Sequence, residues 1–186
     1  SPAMNVPIRL VDGEFSGSVN GVELKASIRP GVQFGDLNDD GVDDAALLLS
    51  ENMGGTGTFV SLVVIFSQDG KFKQAPGITI DDRPVVNSIA IGDNKVKIDV
   101  LVHGPNDPMV NPTQAELREY TLMDETLILT KLNSILGGGT QRTIEIDTPA
   151  AGEEIGTSVR VSGSMAIAPF ENTLLVQLLD NTGKEL

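Results

Sequence analysis

The residues best placed to do chemistry lie in one run, Asp36-Leu37-Asn38-Asp39-Asp40-Gly41-Val42-Asp43-Asp44. Oxygen donors recur there at alternate positions: the carboxylate of Asp36, the amide of Asn38 and the carboxylate of Asp40. The backbone carbonyl of Val42 and the carboxylate of Asp44 complete the series. Calcium takes six to eight oxygens in a compact, adaptable shell, and a tight loop with a donor at every second residue supplies them. Gly41 stands where the chain must turn sharply. Asp39 and Asp43 fall between the donor positions and are expected to face water. Without a cation these carboxylates repel one another, and a bound divalent ion removes that cost. Magnesium, which needs a smaller and more rigid shell, suits the pattern less well.

The loop departs from an EF-hand. Its twelfth position, where a bidentate Glu is required, is Leu47, and its flanks have the two-residue period of strands rather than helices. It resembles the strand-loop-strand calcium loops of FG-GAP repeats in integrin-type β-propellers, which close with Asp at the ninth position. The likeness covers the loop alone. The motif occurs once, without the repeats of a propeller.

Other candidates are weaker. His103 is the single histidine, in His103-Gly104-Pro105-Asn106-Asp107-Pro108. With no second His or Cys to help it, a structural loop role is favoured over a base or a ligand. Asp81, Asp82, Asp99 and Asp107 could in principle supply an acid–base pair. Gly54-Gly55-Thr56-Gly57 has no Lys-Ser/Thr after it and reads as a hairpin tip, not a phosphate loop. Arg83-Pro84 after Asp81-Asp82 reads as a turn with a local ion pair. No Gly-x-Ser-x-Gly occurs. The absence of Cys removes disulfides, thiol catalysis and cysteine-ligated zinc. With no Trp and one Tyr, a sugar-binding cleft is poorly supported.

The elements that position these residues are strands. The chain has 186 residues, 40% of them hydrophobic, with 20 Gly and 10 Pro, a balance that suits a turn-rich all-β protein with a real core. Val6–Val11, Ser16–Val19, Val22–Ile28, Ala45–Leu49, Thr58–Phe66, Lys71–Lys73, Val85–Ile91 and Lys95–Val102 have strand character. Leu117–Leu122 and Thr126–Lys131 form a further hairpin. Asn20-Gly21, Asp69-Gly70 and Gly92-Asp93-Asn94 are hairpin turns. Thr113–Glu119 is the one segment that suits a short helix. The expected architecture is an antiparallel sheet domain, sandwich or barrel-like, over residues 1–136. A Gly-rich linker follows at 137–141, and a partial immunoglobulin-like β segment occupies 142–186, with strands at Thr143–Ile146, Ser158–Ser164 and Leu174–Leu179.

The charge narrows the partners. Twenty-six acidic against 13 basic residues give a formal net charge of −13, which repels nucleic acid and anionic membrane. No run is long and apolar enough for a transmembrane helix. Ser1-Pro2-Ala3-Met4 reads as a lead-in ahead of the natural sequence, consistent with a signal or lipid anchor removed upstream.

Two further resemblances bear on function. Asp12–Gly17, Phe34–Leu49, Gly54–Val64, Asp82-Arg83, Val86–Ile91 and His103–Pro108 together resemble a family of uncharacterised bacterial exported lipoproteins. The shared pattern is F-G-D-L-N-x-D-G-x-x-D-A-A, then G-G-x-G-T-F-V, then H-G-P-x-D-P-M, over most of residues 5–135. A Cys pair often follows the last motif in that family; Val110-Asn111 stand there instead. The resemblance implies an extracytoplasmic location, in the periplasm or at the cell surface, with lipid anchoring in the full-length protein. Ile146-Asp147-Thr148-Pro149, Val159–Gly163, Phe170–Leu174 and Asp180–Gly183 are similar to the first half of the immunoglobulin-like domain of bacterial spore germination proteins. Three strands rarely bury enough to stand alone, so the segment is expected to pack on the first domain or to pair with a protein partner or second copy. The reading that follows is a non-catalytic, calcium-binding envelope module with a structural or interaction role. The alternatives are a carboxylate-dependent hydrolase and an accessory subunit in cell-wall or spore processing.

Overall fold

The computed structural model describes residues 1–104, 107–135, 141–150, 152–165, 176 and 178. It is all-β, with no helix among the described residues. Every strand pairing is antiparallel.

The first sheet holds β1 (Glu14–Val19), β2 (Val22–Ile28), β4 (Asp44–Asn52), β5 (Phe59–Gln68) and β6 (Lys71–Gln74) in that order. The short β3 (Gln33–Gly35) pairs with β4, and β7 (Ile78–Asp82) pairs with β5. The second sheet runs β13 (Ser162–Met165), β12 (Gln141–Thr148), β11 (Thr126–Ile135), β10 (Gln114–Met123), β9 (Lys95–Val102) and β8 (Val85–Gly92). Tight turns set the hairpin registers. Asn20-Gly21 and Asp93-Asn94 have positive φ at both central residues, the mirror-image turn whose twist matches that of the strands it joins.

The main core lies between the two sheets. Ala46 and Leu48 of β4 and Val60, Leu62, Val64 and Phe66 of β5 pack there against Val96, Ile98, Val100 and Val102 of β9 and Tyr120 and Leu122 of β10. A smaller core covers the opposite face of the first sheet. Leu47 and Leu49 of β4 and Val63 of β5 meet Ala26, Phe15, Ile8 and Leu10 there. β4 and β5 are therefore apolar on both faces, which is why Ala45–Leu49 and Leu62–Phe66 read as continuous apolar runs rather than alternating ones.

The structure corrects several boundaries. Thr113–Glu119 is not helical; Gln114–Met123 is one long strand. Its residues Glu116, Tyr120 and Leu122, two or four apart, are all buried, which is the period of a strand and not of a helix. Val6–Val11 is not a strand beyond the single bridge Val11↔Glu14. Pro7 lacks the N–H that a ladder needs, and Ile8 and Leu10 instead cover the smaller core. β7 had no counterpart in the sequence reading. The segment after residue 141 joins the second sheet directly: β12 pairs with β11 from Lys131↔Glu145 to Ile135↔Gln141, and β13 adds to β12. The glycines of the expected linker, and the strand expected at Leu174–Leu179 apart from Val176 and Leu178, lie outside the described residues.

Candidate metal centre

The Asp-rich loop closes the β3–β4 hairpin at one end of the sandwich, where Gly35↔Asp44 is the last ladder pair. Its backbone is turned by Asp39 at φ 60° and Gly41 at φ 81°. The Gly41 conformation is one that a side chain strains.

The side-chain oxygens of the loop are held by its own amides. Asp36 Oδ1 accepts the Asn38 N–H at 3.1 Å, and Oδ2 accepts the Gly41 N–H at 2.8 Å. Asn38 Oδ1 accepts the Asp40 N–H at 3.2 Å, and Asp40 Oδ1 accepts the Val42 N–H at 2.8 Å. The three side chains thus bond back to the loop backbone, with Asp36 and Asn38 half-buried and Asp40 exposed. Asp39 and Asp43 are exposed, as their intermediate positions predict.

Asp44 has a different place. It is 1% exposed, on the face of β4 that meets the second sheet. Its Oδ2 accepts the Leu37 N–H at 2.9 Å and its Oδ1 accepts the Ser67 N–H at 2.8 Å. Asn38 Nδ2 donates to the Ser67 carbonyl at 2.6 Å. Both backbone groups of Ser67, near the end of β5, are therefore capped by the loop. Leu37 is buried in the main core and anchors the loop from below.

Among the described residues no three His, Cys, Asp or Glu side chains converge as a metal-holding group. The donor set expected from sequence holds three carboxylates, Asp36, Asp40 and Asp44, which would have to draw together around an ion, with Asn38 and the Val42 carbonyl completing the shell. Asp44 is turned inward, yet each carboxylate oxygen keeps a second lone pair beyond the one taken by an amide. The donors are all oxygen, which fits a hard cation and not a soft one.

The other sequence candidates separate from one another. Asp81 Oδ2 accepts the His103 backbone N–H at 2.6 Å and lies 2.9 Å from His103 Nδ1, which ties β7 of the first sheet to the end of β9 in the second. His103 Nε2 is buried without a partner among the described residues. Asp82 is gripped by Arg83, with Nη2 to Oδ2 at 2.7 Å, and accepts the Thr58 N–H at 2.7 Å. Asp99 accepts Asn87 Nδ2 at 2.9 Å. Asp107 accepts the Gly104 and Thr113 N–H groups. Each carboxylate serves its own partner. Pro105 and Asn106 of the His103 loop lie outside the described residues. At the hairpin tip, Asn52 Nδ2 donates to the carbonyls of Gly55 and Gly57, so the tip is organised around a side-chain cap.

Two buried ionic features escaped the sequence reading. Glu51 is 0% exposed on the outer face of β4. Glu116 and Arg118 of β10 pair inside the sandwich, with Nη2 to Oε2 at 2.7 Å. A signal for the first was available. Glu51 continues the Leu47–Leu49 alternation and so had to share their buried face.

Four aspartates are held below the ordinary value of 3.8. The Gly41 N–H is the main cause for Asp36, the Arg83 guanidinium for Asp82, the Lys97 ammonium for Asp93 and the Gly104 N–H for Asp107. A depressed folded value means that the unfolded chain takes up protons first as pH falls. The stabilisation is complete above the unfolded value and is lost as pH drops through the folded one. The urea midpoint is therefore expected to hold steady above about pH 5 and to fall below about pH 4. Asp82→Asn should flatten that decline. An unchanged slope in the variant would assign the acid sensitivity elsewhere.

Comparison with protein-family profiles, curated proteins and solved structures returned no match for this chain.

Proposed function

We propose that this protein is a non-catalytic, calcium-binding β module of the bacterial envelope, with a structural or interaction role. The observation that supports it best is the build of the loop from Asp36 to Asp44. Its side-chain oxygens are turned over their own backbone, and its last carboxylate is rooted under Leu37 and Ser67. Asp36, Asn38, Asp40, the Val42 carbonyl and Asp44 are the proposed ligands. The cation would supply charge neutralisation between carboxylates and would hold the β3–β4 hairpin against the end of β5. The extracytoplasmic location and the immunoglobulin-like character of the C-terminal segment are part of the same proposal and rest on the sequence resemblances. No helix among the described residues is long and apolar enough to cross a membrane. The hydrolase alternative needs two carboxylates facing one cleft, and the separate engagement of Asp81, Asp82, Asp99 and Asp107 weighs against it.

Thermal melting with calcium, with magnesium and with chelator tests the reading. At calcium a hundredfold above its dissociation constant, binding adds about 2.7 kcal/mol. For a chain of this size that raises Tm by about 5–10 °C. Magnesium should give less, and Asp36→Ala should erase the calcium response while leaving the chelated protein folded. A melting temperature indifferent to calcium and to Asp36→Ala would sink the metal assignment.

A further inference from the structure

β12 carries a two-residue repeat, Ile144-Glu145-Ile146-Asp147: an isoleucine and an acid, then an isoleucine and an acid. Side chains two apart in a strand share a face. One face of β12 therefore offers two isoleucines and the other offers two acids. In the observed register Leu132 of β11 lies opposite Ile144 and Lys131 lies opposite Glu145. Lys131 Nζ is 2.6 Å from Glu145 Oε1, and that bond is the main reason the ammonium is held above its ordinary value. A slide of two residues repeats the match. Leu132 then meets Ile146, Lys131 meets Asp147 and Ile135 meets Thr143, and as many ladder pairs form as before. Asp147, where β12 bulges against β13, has no ladder partner to give up.

Little else separates the two registers. The register of β10 on β11 is pinned by the buried Tyr120, Leu122 and Leu127. No side chain of β12 or β13 belongs to either core, and Ile146 is 59% exposed. A strand with neither face buried has a weakly specified register. β12 packs on β11 and β13, so β12 and β13 travel together. Residues 136–140, which join β11 to β12, hold none of the Asn-Gly or Asp-Gly signals that set the other hairpins. The slide adds two residues to that connection, a small entropic change. The observed register is also imperfect. Asn133 Oδ1 on β11 and Arg142 Nε on β12 are buried without a hydrogen-bond partner among the described residues, which costs free energy. The slide carries Arg142 past the end of the ladder and sets Glu145 opposite Asn133, whose amide can donate to a carboxylate.

We propose that β12 is a two-register strand: the β12–β13 pair slides by two residues along β11, between a state with Lys131 on Glu145 and a state with Lys131 on Asp147. The slide moves β13 by about 7 Å along the edge of the second sheet. Both cores stay as they are. Surface ion pairs add little to global stability. Here they weigh more, because the two states match in apolar pairing and in ladder length, so a small electrostatic difference sets their ratio.

Disulfide trapping in the full chain tests this, and the absence of native Cys leaves introduced pairs as the only thiols. Asn133→Cys with Thr143→Cys sets two thiols opposite each other in the observed register. Ile135→Cys with Thr143→Cys does so in the slid one. Directly opposed Cβ atoms lie about 4.5–5.5 Å apart, close enough for a disulfide with a small adjustment. The closure rate of each pair is measured alone, with Glu145→Lys and with Asp147→Lys. Glu145→Lys sets like charges opposite each other in the observed register and leaves Asp147 attractive. Closure of the 135–143 pair relative to the 133–143 pair should then rise by about fivefold or more, and Asp147→Lys should lower it by a similar factor. Asp147→Lys also separates sliding from diagonal reach, because residue 147 lies beyond the β11 ladder in the observed register and has no hold on a diagonal closure there. A ratio that neither variant moves would overturn the proposal, as would a 135–143 pair that stays open in Glu145→Lys.

Discussion

Asp44→Ala, measured in chelator, is expected to lower the free energy of unfolding by about 2–5 kcal/mol. The substitution strips the acceptor from two backbone N–H groups, those of Leu37 and Ser67, at a position 1% exposed. Each orphaned buried donor costs about 1–3 kcal/mol, because water cannot replace what the carboxylate supplied. Asp44→Asn keeps one oxygen acceptor and should recover part of the loss. The same variant separates folding from metal. If Asp44 is also a ligand, the calcium-dependent rise in Tm disappears along with the stability; if Asp44 is only an anchor, a smaller rise survives on a lower baseline. A loss under about 1 kcal/mol in chelator would mean that water reaches Leu37 N and Ser67 N after all, and the account of the loop's root would fail.

Arg118→Ala should be at least as damaging, at about 3–5 kcal/mol, because it leaves the Glu116 carboxylate without its cation inside the sandwich. Glu116 accepts Arg118 Nε at 2.7 Å and Gln114 Nε2 at 2.6 Å. Arg118 also reaches the Ile80 carbonyl of the opposite sheet at 3.5 Å, so the pair bridges the two layers. Removing both charges is a different experiment. Glu116→Leu with Arg118→Met replaces the pair by apolar volume and should restore most of the lost stability, since the cost lies in the uncompensated charge rather than in the missing attraction. Urea unfolding of the two variants beside the parent decides it. A double variant no more stable than Arg118→Ala alone would show that packing of the arginine stem, and not the stranded carboxylate, carries the effect.

Much of this was legible in the chain. Turn chemistry is local, so Asn20-Gly21 and Asp93-Asn94 announced their hairpins, and both adopt the positive φ values such turns need. The tight turn from Asp36 to Asp44 was readable for the same reason: a turning glycine among alternating oxygen-bearing side chains is a property of nine consecutive residues, and Gly41 takes the positive φ expected of it. The all-β class followed from apolar runs with strand period and no helical stripe.

Other features depended on which surface each strand faces, and a two-residue period cannot say that. It sorts Asp44, Ala46 and Leu48 from Leu47, Leu49 and Glu51, but not which set meets the second sheet. With both faces of β4 covered, an acid on either side is buried. Glu51 shares the alternation of Leu47 and Leu49, and Asp44 reads as a loop ligand, but that both lose their water is settled only when the layers are assembled. On sequence only the start of β10, within Thr113–Glu119, suits a short helix, because Glu116 and Arg118 give no apolar alternation to follow, whereas Leu117–Leu122 has strand character. The inward direction of Glu116 and Arg118 comes from pairing with β9 and β11 and from closure of the sandwich over them. Local spacing determined the turns and the run of alternating oxygen-bearing residues in the loop. Only the stacking of two sheets decided which charges lost their water, because burial arises from residues far apart in the chain.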